Sequence, residues 1–178
     1  LEAGNGDEAV EKLKQSKYDF VMMDIQMPNT DSLGLMEFIN IKYPETKVLI
    51  FSMSPEKIYA KRFLKAGAKG FLSKESSLDE VKKAINLVLN NRTYISETLA
   101  STLVEDAYSP SPSNPFEKLS AREFEIASLL LSGHTISDIS KSLNLQVSTI
   151  GTHKARIFEK LNVTNLLELK ELSVSYNM

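Results

Sequence analysis

Three side chains with complementary chemistry each end an apolar stretch of this 178-residue chain. Asp24 ends DFVMMD, Ser52 ends KVLIFS and Lys74 ends KGFLSK. Such runs predict buried parallel strands, and open α/β sheets place their chemistry at the carboxyl ends of these strands. There a carboxylate can attack a phosphoryl group, a hydroxyl can hydrogen-bond the new phosphoryl oxygen, and an ammonium can neutralise charge. The three residues therefore predict a phosphoryl-acceptor site.

Each residue of this set also has a simpler interpretation. Asp24 or Ser52 could cap the loop after its strand, and Lys74 could be a solvated strand end. The recurrence of all three at strand ends favours the phosphoryl site. An aspartyl-phosphate hydrolase also attacks through a strand-end carboxylate, but it uses a second aspartate two residues later, where this chain has Gln26. We therefore do not predict an enzyme.

A second functional pattern lies in the last third of the chain. Residues 120–133 begin with a capping box, continue with apolar residues at helical spacing and end in glycine. A short helix is predicted over residues 136–142, a tight turn at Asn144, and a third helix over residues 147–160. Two short helices that meet at a tight turn are typical of a helix-turn-helix unit.

The third helix presents hydroxyl groups and cations beside an apolar face, so it can enter the major groove of DNA. An ordinary solvated face is the alternative, and the position of the helix after a helix-turn pair favours DNA. The predicted DNA-contacting residues are Thr149, Thr152, His153, Lys154, Arg156 and Lys160.

Composition limits how DNA can be attracted. The formal net charge is −2, so attraction must come from the local excess of four cations over one acid between residues 139 and 162. The length and the hydrophobic content of 42% suit two small globular domains. Cysteine is absent and no apolar run reaches about eighteen residues, which predicts a cytoplasmic protein without a membrane partner.

The C-terminal segment carries a motif set known from one family. Its matching residues are Leu119, Ser120, Arg122, Glu123, Glu125, Ile126, Gly133, Thr149, Ile150, His153, Lys160, Leu161, Val163, Asn165, Glu168 and Leu169. The segment resembles the DNA-binding domain of LuxR-type regulators, which implies an all-α domain of four helices and double-stranded DNA as its partner. Gly151 stands where that family usually has lysine, and Gln146 where it usually has a capping serine.

The first part of the chain resembles the receiver domain of two-component response regulators, most closely in the run FLKAGAKGFLSK, residues 63–74. This resemblance implies a flavodoxin-like, doubly wound α/β fold with a parallel sheet. It assigns Asp24 as the phosphoacceptor, Ser52 and Phe71 as switch residues, and Lys74 as the lysine of the site. Ser32 stands where the family usually has glycine, so the loop after Asp24 is expected to differ slightly.

The two resemblances together indicate a response regulator of the NarL/FixJ class. They imply a sensor histidine kinase or a small phosphodonor as partner, and a homodimer on DNA. The alternative is a DNA-binding regulator that does not depend on phosphorylation, in which a degenerate receiver serves for dimerisation. A preceding sequence that lacks two adjacent acids would favour this alternative.

The resemblance begins inside the family's second strand, so we expect the first strand, the first helix and their acidic pair to be missing. The intact receiver is expected to bind Mg²⁺. Of the expected ligands, only the Asp24 carboxylate and the Gln26 backbone carbonyl can be assigned, so this truncated chain is not expected to bind the ion.

The remaining residues suggest how the two modules are joined. Residues 76–91 predict the final receiver helix, packed through Leu78, Val81, Ile85 and Val88. We predict a receiver over residues 1–95, a linker over 96–116 and a DNA-binding domain over 117–178. The linker combines a short helix with a tether rich in proline and serine.

Overall fold

The computed structural model describes residues 1–28, 30–108 and 114–176. The chain divides into two compact units, Leu1–Ser109 and Pro110–Met178. Most of the predicted proline-rich tether lies at residues 109–113, outside the described residues. Within the described residues, no helix combines the length and the apolar character that crossing a membrane requires.

The first unit contains a parallel sheet of three strands in the order β1-β2-β3. Strand β1 pairs with β2 from Phe20 opposite Lys47 onward, and β2 pairs with β3 up to Ser52 opposite Ser73. This register brings the carboxyl ends of all three strands to one edge, which confirms the predicted fold class. The elements are α1 (Gly6–Gln15), β1 (Phe20–Met23), α2 (Ser32–Lys42), β2 (Lys47–Ser52), α3 (Glu56–Lys65), β3 (Gly70–Ser73), α4 (Leu78–Leu89) and α5 (Glu97–Tyr108).

Strand β2 separates two apolar clusters because successive side chains of a strand point to opposite faces of the sheet. Val48 and Ile50 belong to the cluster that α1, α2 and α3 cover, whereas Leu49 belongs to the cluster under α4. Helix α5 adds Leu99, which is fully buried, to the first cluster. The helix that we expected in the linker therefore packs on the receiver core.

One predicted packing contact is wrong. Leu78, which we expected to face the core, is 68% exposed. It is the first residue of α4, directly after the Ser77 side chain that caps the helix by accepting from the Glu80 amide. The apolar contacts of the helix are made further along, and Val88 is fully buried.

The second unit is the predicted four-helix domain. It begins with a 3-10 turn (Pro115–Lys118), followed by α6 (Ala121–Leu131), α7 (Ile136–Ser142), α8 (Val147–Leu161) and α9 (Leu166–Ser175). Gly133 and Asn144 both adopt positive φ angles, as the turns after α6 and α7 require. The helices bury Ile126, Ile139, Ile150, Ile157 and Leu169 completely.

Candidate functional site

The three strand-end residues predicted as a phosphoryl-acceptor site meet in the structure. Asp24 Oδ2 accepts a hydrogen bond from Lys74 Nζ at 2.6 Å, and Oδ1 accepts one from Ser52 Oγ at 2.8 Å. The backbone amide of Gln26 also donates to Oδ1, at 3.1 Å. Asp24 and Lys74 both line an open groove, so a phosphodonor can reach the carboxylate.

The hydrogen bonds also set the charge of Asp24. Partial burial raises the pKa of this carboxyl group, but the donors on Lys74, Ser52 and Gln26 outweigh burial, and the pKa lies below its ordinary value. Asp24 is therefore ionised at neutral pH. An ionised carboxylate is the form that acts as a nucleophile.

Ser52 and Phe71, the predicted switch residues, are both fully buried. The Ser52 hydroxyl lies between Asp24 and Ser54, whose hydroxyl is 3.4 Å away. Phe71 pairs in register with Ile50 and packs in the core cluster under α1, α2 and α3. The structure thus brings Ser52 to the carboxylate and places Phe71 in the core.

The loop after Asp24 contains two buried hydroxyl groups that sequence reasoning did not place in the site. The Thr30 hydroxyl accepts from the Gly6 amide at 2.7 Å and donates to the Pro28 carbonyl at 2.9 Å. The Ser32 hydroxyl donates to the Ile25 carbonyl at 2.5 Å. Ser32 stands where the family usually has glycine, and this difference is the one sequence feature that pointed to its contact.

The same edge of the sheet carries the residues expected to bind Mg²⁺. The ion needs octahedral coordination by oxygen ligands. Asp24 and the Gln26 carbonyl are the assigned ligands, and both oxygens of Asp24 already accept hydrogen bonds. No group of three or more His, Cys, Asp or Glu side chains that could hold a metal occurs among the described residues. Asp24 and the Gln26 carbonyl thus account for two of the six oxygen ligands that the ion takes.

Helix α8 carries the predicted DNA-contacting residues, but they do not share one face. The helix turns by about 100° per residue, so Thr152 and Arg156 lie on the side opposite the buried Ile150 and Ile157. Thr152 and Arg156 are both exposed. They form the outward face of the helix that starts after the Asn144 turn.

The other predicted residues lie on the flanks of α8. Lys154 is half-buried, with its ammonium 5.2 Å from the centroid of the Phe158 ring. Thr149 and His153 are also half-buried, and His153 Nδ1 is buried with no hydrogen-bond partner among the described residues. These side chains reach a ligand only along the edges of the helix.

Lys160 makes a contact that the sequence did not suggest. Its ammonium donates to Glu123 Oε2 at 2.6 Å and so joins the end of α8 to the start of α6. Glu123 is 3% exposed, and the same oxygen accepts from the Ser120 amide at 2.8 Å. Burial raises the pKa of Glu123, but the hydrogen bonds from Lys160 and Ser120 lower it overall. The Lys160 side chain is thus fixed by an ion pair with helix α6.

Two family descriptions match this chain. Residues 1–86 match the response regulator receiver domain, and residues 117–172 match the bacterial regulatory proteins of the luxR family. The fold and the strand-end site agree with these matches. The chain belongs to the response regulators of two-component systems that carry a LuxR-type helix-turn-helix DNA-binding domain.

Individual relatives have the same organisation. Response regulator GacA of Pseudomonas protegens is 35% identical over 99% of this chain and 83% of its own length. Oxygen regulatory protein NreC of Staphylococcus epidermidis is 34% identical over 97% of this chain and 83% of its own length. Among solved structures, RcsB of Salmonella enterica serovar Typhimurium, bound to promoter rprA in the presence of phosphomimetic BeF3⁻, has a TM-score of 0.62 at 21% identity. The match covers 94% of this chain and 81% of RcsB. At this identity the likeness to RcsB establishes the fold.

Proposed function

We propose that phosphorylation of Asp24 controls the binding of DNA by this chain. The observation that carries the proposal is the contact of the Asp24 carboxylate with Ser52 and Lys74 at the sheet edge. A sensor histidine kinase or a small phosphodonor supplies the phosphoryl group. An Asp24 oxygen attacks phosphorus, the bond to the donor's leaving group breaks with its electron pair going to that group, and an acyl phosphate forms.

The neighbours of Asp24 then respond to the new charge. Lys74 lies where it can neutralise a phosphoryl oxygen, and the Ser52 hydroxyl can exchange its bond to the carboxylate for one to the phosphoryl group. Phe71 is proposed to move with Ser52, because both side chains are fully buried and lie on neighbouring strands. A local change of charge would in this way select one of two receiver conformations.

The DNA side of the proposal rests on the outward face of α8. Arg156 can contact phosphate or a base edge, and Thr152 can hydrogen-bond either. Thr149, His153 and Lys154 are proposed to contact the phosphate backbone from the flanks. RcsB, which shares the fold, has been solved on promoter DNA and as two dimers on two DNAs. We propose that this chain likewise binds paired half-sites as a homodimer.

The intact receiver is proposed to bind Mg²⁺, whereas this chain supplies only the Asp24 carboxylate and the Gln26 carbonyl as ligands. We infer a transcription regulator and not an enzyme, working in the cytoplasm beside the DNA that it reads. The bounds of the receiver, linker and DNA-binding domain at residues 95 and 116 also stay predictions.

The DNA face can be tested by a gain of function at Gly151. A Cβ atom at this helix position would meet nothing within 4 Å. We expect Gly151→Lys to add a phosphate contact and to steepen the slope of log affinity against log salt by about 0.9. Affinity for duplex DNA is measured by fluorescence anisotropy at several salt concentrations.

The matched control is Gly151→Ala. Both variants should raise the free energy of unfolding of the second unit by about 1 kcal/mol, because glycine is a poor helix former. Only the lysine variant should bind DNA more tightly. Equal affinities for the two variants would show that this flank of α8 does not approach DNA.

A further inference from the structure

Ser32 makes an unexpected contact beside the acceptor site. Its side chain is 3% exposed, and its hydroxyl donates to the carbonyl oxygen of Ile25 at 2.5 Å. Ile25 immediately follows Asp24, so the hydroxyl reaches back across the loop to the backbone of the acceptor segment. The contact therefore ties the first residue of α2 to the chain that leaves β1.

The peptide unit that Ser32 holds also carries a donor to Asp24. The carbonyl of Ile25 and the amide of Gln26 belong to one planar trans peptide, in which the C=O and N–H bonds point in opposite directions. The Gln26 amide donates to Asp24 Oδ1 at 3.1 Å. Fixing the carbonyl of this peptide therefore fixes the direction in which its N–H group points.

Ser32 is a suitable anchor because α2 is itself firmly held. The Asp31 side chain caps the helix by accepting from the Gly34 amide at 2.9 Å. Met36 and Ile39 of the same helix are fully buried in the core of the first unit. Gln26, in contrast, is exposed.

We propose that Ser32 is a positioning residue, which orients the Gln26 amide toward Asp24 through the Ile25–Gln26 peptide. Ser52 and Lys74 donate to Asp24 from strand ends, whereas the position of the Gln26 amide is set by the conformation of the loop that follows β1. An amide held at this place fixes the orientation of the carboxylate for attack, and it lies where it can hydrogen-bond an oxygen of the transferred phosphoryl group. The kinetic consequence rests on the proposed phosphorylation of Asp24; the structural consequence does not.

The first test measures the amide directly, in ¹H–¹⁵N spectra of the unphosphorylated chain. In Ser32→Ala we expect a shifted Gln26 signal and faster hydrogen exchange at that amide. The control is Thr46→Val, which deletes a comparable bond from the Thr46 hydroxyl to the Tyr18 carbonyl at 2.8 Å, at the opposite end of the strands. Thr46→Val should leave the Gln26 signal in place. An unchanged Gln26 signal in Ser32→Ala would overturn the proposal.

The second test measures acyl phosphate formation on Asp24 by intact-protein mass, with acetyl phosphate as donor and magnesium in excess. We expect Ser32→Ala to slow formation roughly tenfold, less than the hundredfold or more that complete loss of a preorganised donor costs, because the Gln26 amide is still present. We expect Thr46→Val to leave the rate unchanged. Equal rates in the unaltered chain and Ser32→Ala would contradict the proposal. If the unaltered chain took up no phosphate, the proposed function would fail, and the Gln26 signal would still decide the role of Ser32. Ser32→Gly, with the residue usual in the family, replaces Ser32→Ala if that variant does not fold.

Discussion

Replacing Asp24 by asparagine is expected to abolish phosphorylation of the chain. The carboxylate is the nucleophile, and an amide at the same position cannot form the acyl phosphate. Ser52 and Lys74 donate to different oxygens of Asp24, so the single amide oxygen of asparagine keeps one of these two hydrogen bonds. Intact-protein mass after incubation with acetyl phosphate and excess magnesium measures the effect.

The matched control is Asp19→Asn. Asp19 is exposed and precedes β1, so this change removes one negative charge from the other end of the same strand. It should leave phosphate uptake unchanged. Uptake by Asp24→Asn equal to that of Asp19→Asn would mean that another residue accepts the phosphoryl group.

Replacing Lys160 by methionine is expected to lower the free energy of unfolding of the second unit by about 2 kcal/mol. Removing one partner of a buried pair leaves the other charge without compensation, which costs about 3–5 kcal/mol when both partners are buried. The expected loss is smaller here because the Lys160 side chain is 40% exposed and Glu123 keeps the Ser120 amide. Urea denaturation measures the change.

Arg156→Met is the control for Lys160→Met, since it removes an exposed cation four residues away on the same helix. We expect it to change the stability by less than about 0.5 kcal/mol and to weaken DNA binding. We therefore expect Lys160→Met to lower mainly the stability of the second unit and Arg156→Met to lower mainly its affinity for DNA. Equal stability of the two variants would contradict the role assigned to the Glu123–Lys160 pair.

The same pair predicts an acid-sensitive contribution to stability. The pKa of Glu123 is lowered from its ordinary 4.5 in the folded chain, so the pair stabilises the unit fully above the unfolded pKa. That contribution is lost as the pH falls through the lower, folded pKa. In Lys160→Met, unfolding measured between about pH 3 and pH 6 should show a weaker dependence on pH. If the free energy of unfolding depends on pH equally in Lys160→Met and in the unaltered chain, the Glu123–Lys160 pair is not the source of the acid sensitivity.

The elements of the fold could be predicted because their signals are local. The residues from Val48 to Phe51 are all apolar and lie within β2, which ends at Ser52, and the predicted span Ile136–Ser142 became α7. The predicted capping box at Ser120 acts within four residues of the chain. The carboxyl ends of parallel strands lie at one edge of the sheet, so the meeting of Asp24, Ser52 and Lys74 could be expected from the sequence.

Contacts between residues distant in sequence could not be predicted in the same way. The ion pair of Lys160 with Glu123 joins two residues that are 37 positions apart in the chain, so no local signal predicts it. The sequence predicts Leu99 in a linker helix, whereas in the structure that helix packs on the receiver core. Ser32 could be recognised as unusual, but its bond to the Ile25 carbonyl depends on the path of the whole loop.

The most direct test of the account is the affinity of the chain for duplex DNA at fixed salt, with and without acetyl phosphate, in the unaltered chain and in Asp24→Asn. We expect the donor to tighten binding only when Asp24 is present. If affinity ignores both the donor and the substitution, the control of DNA binding by phosphorylation is contradicted, and the receiver serves for dimerisation.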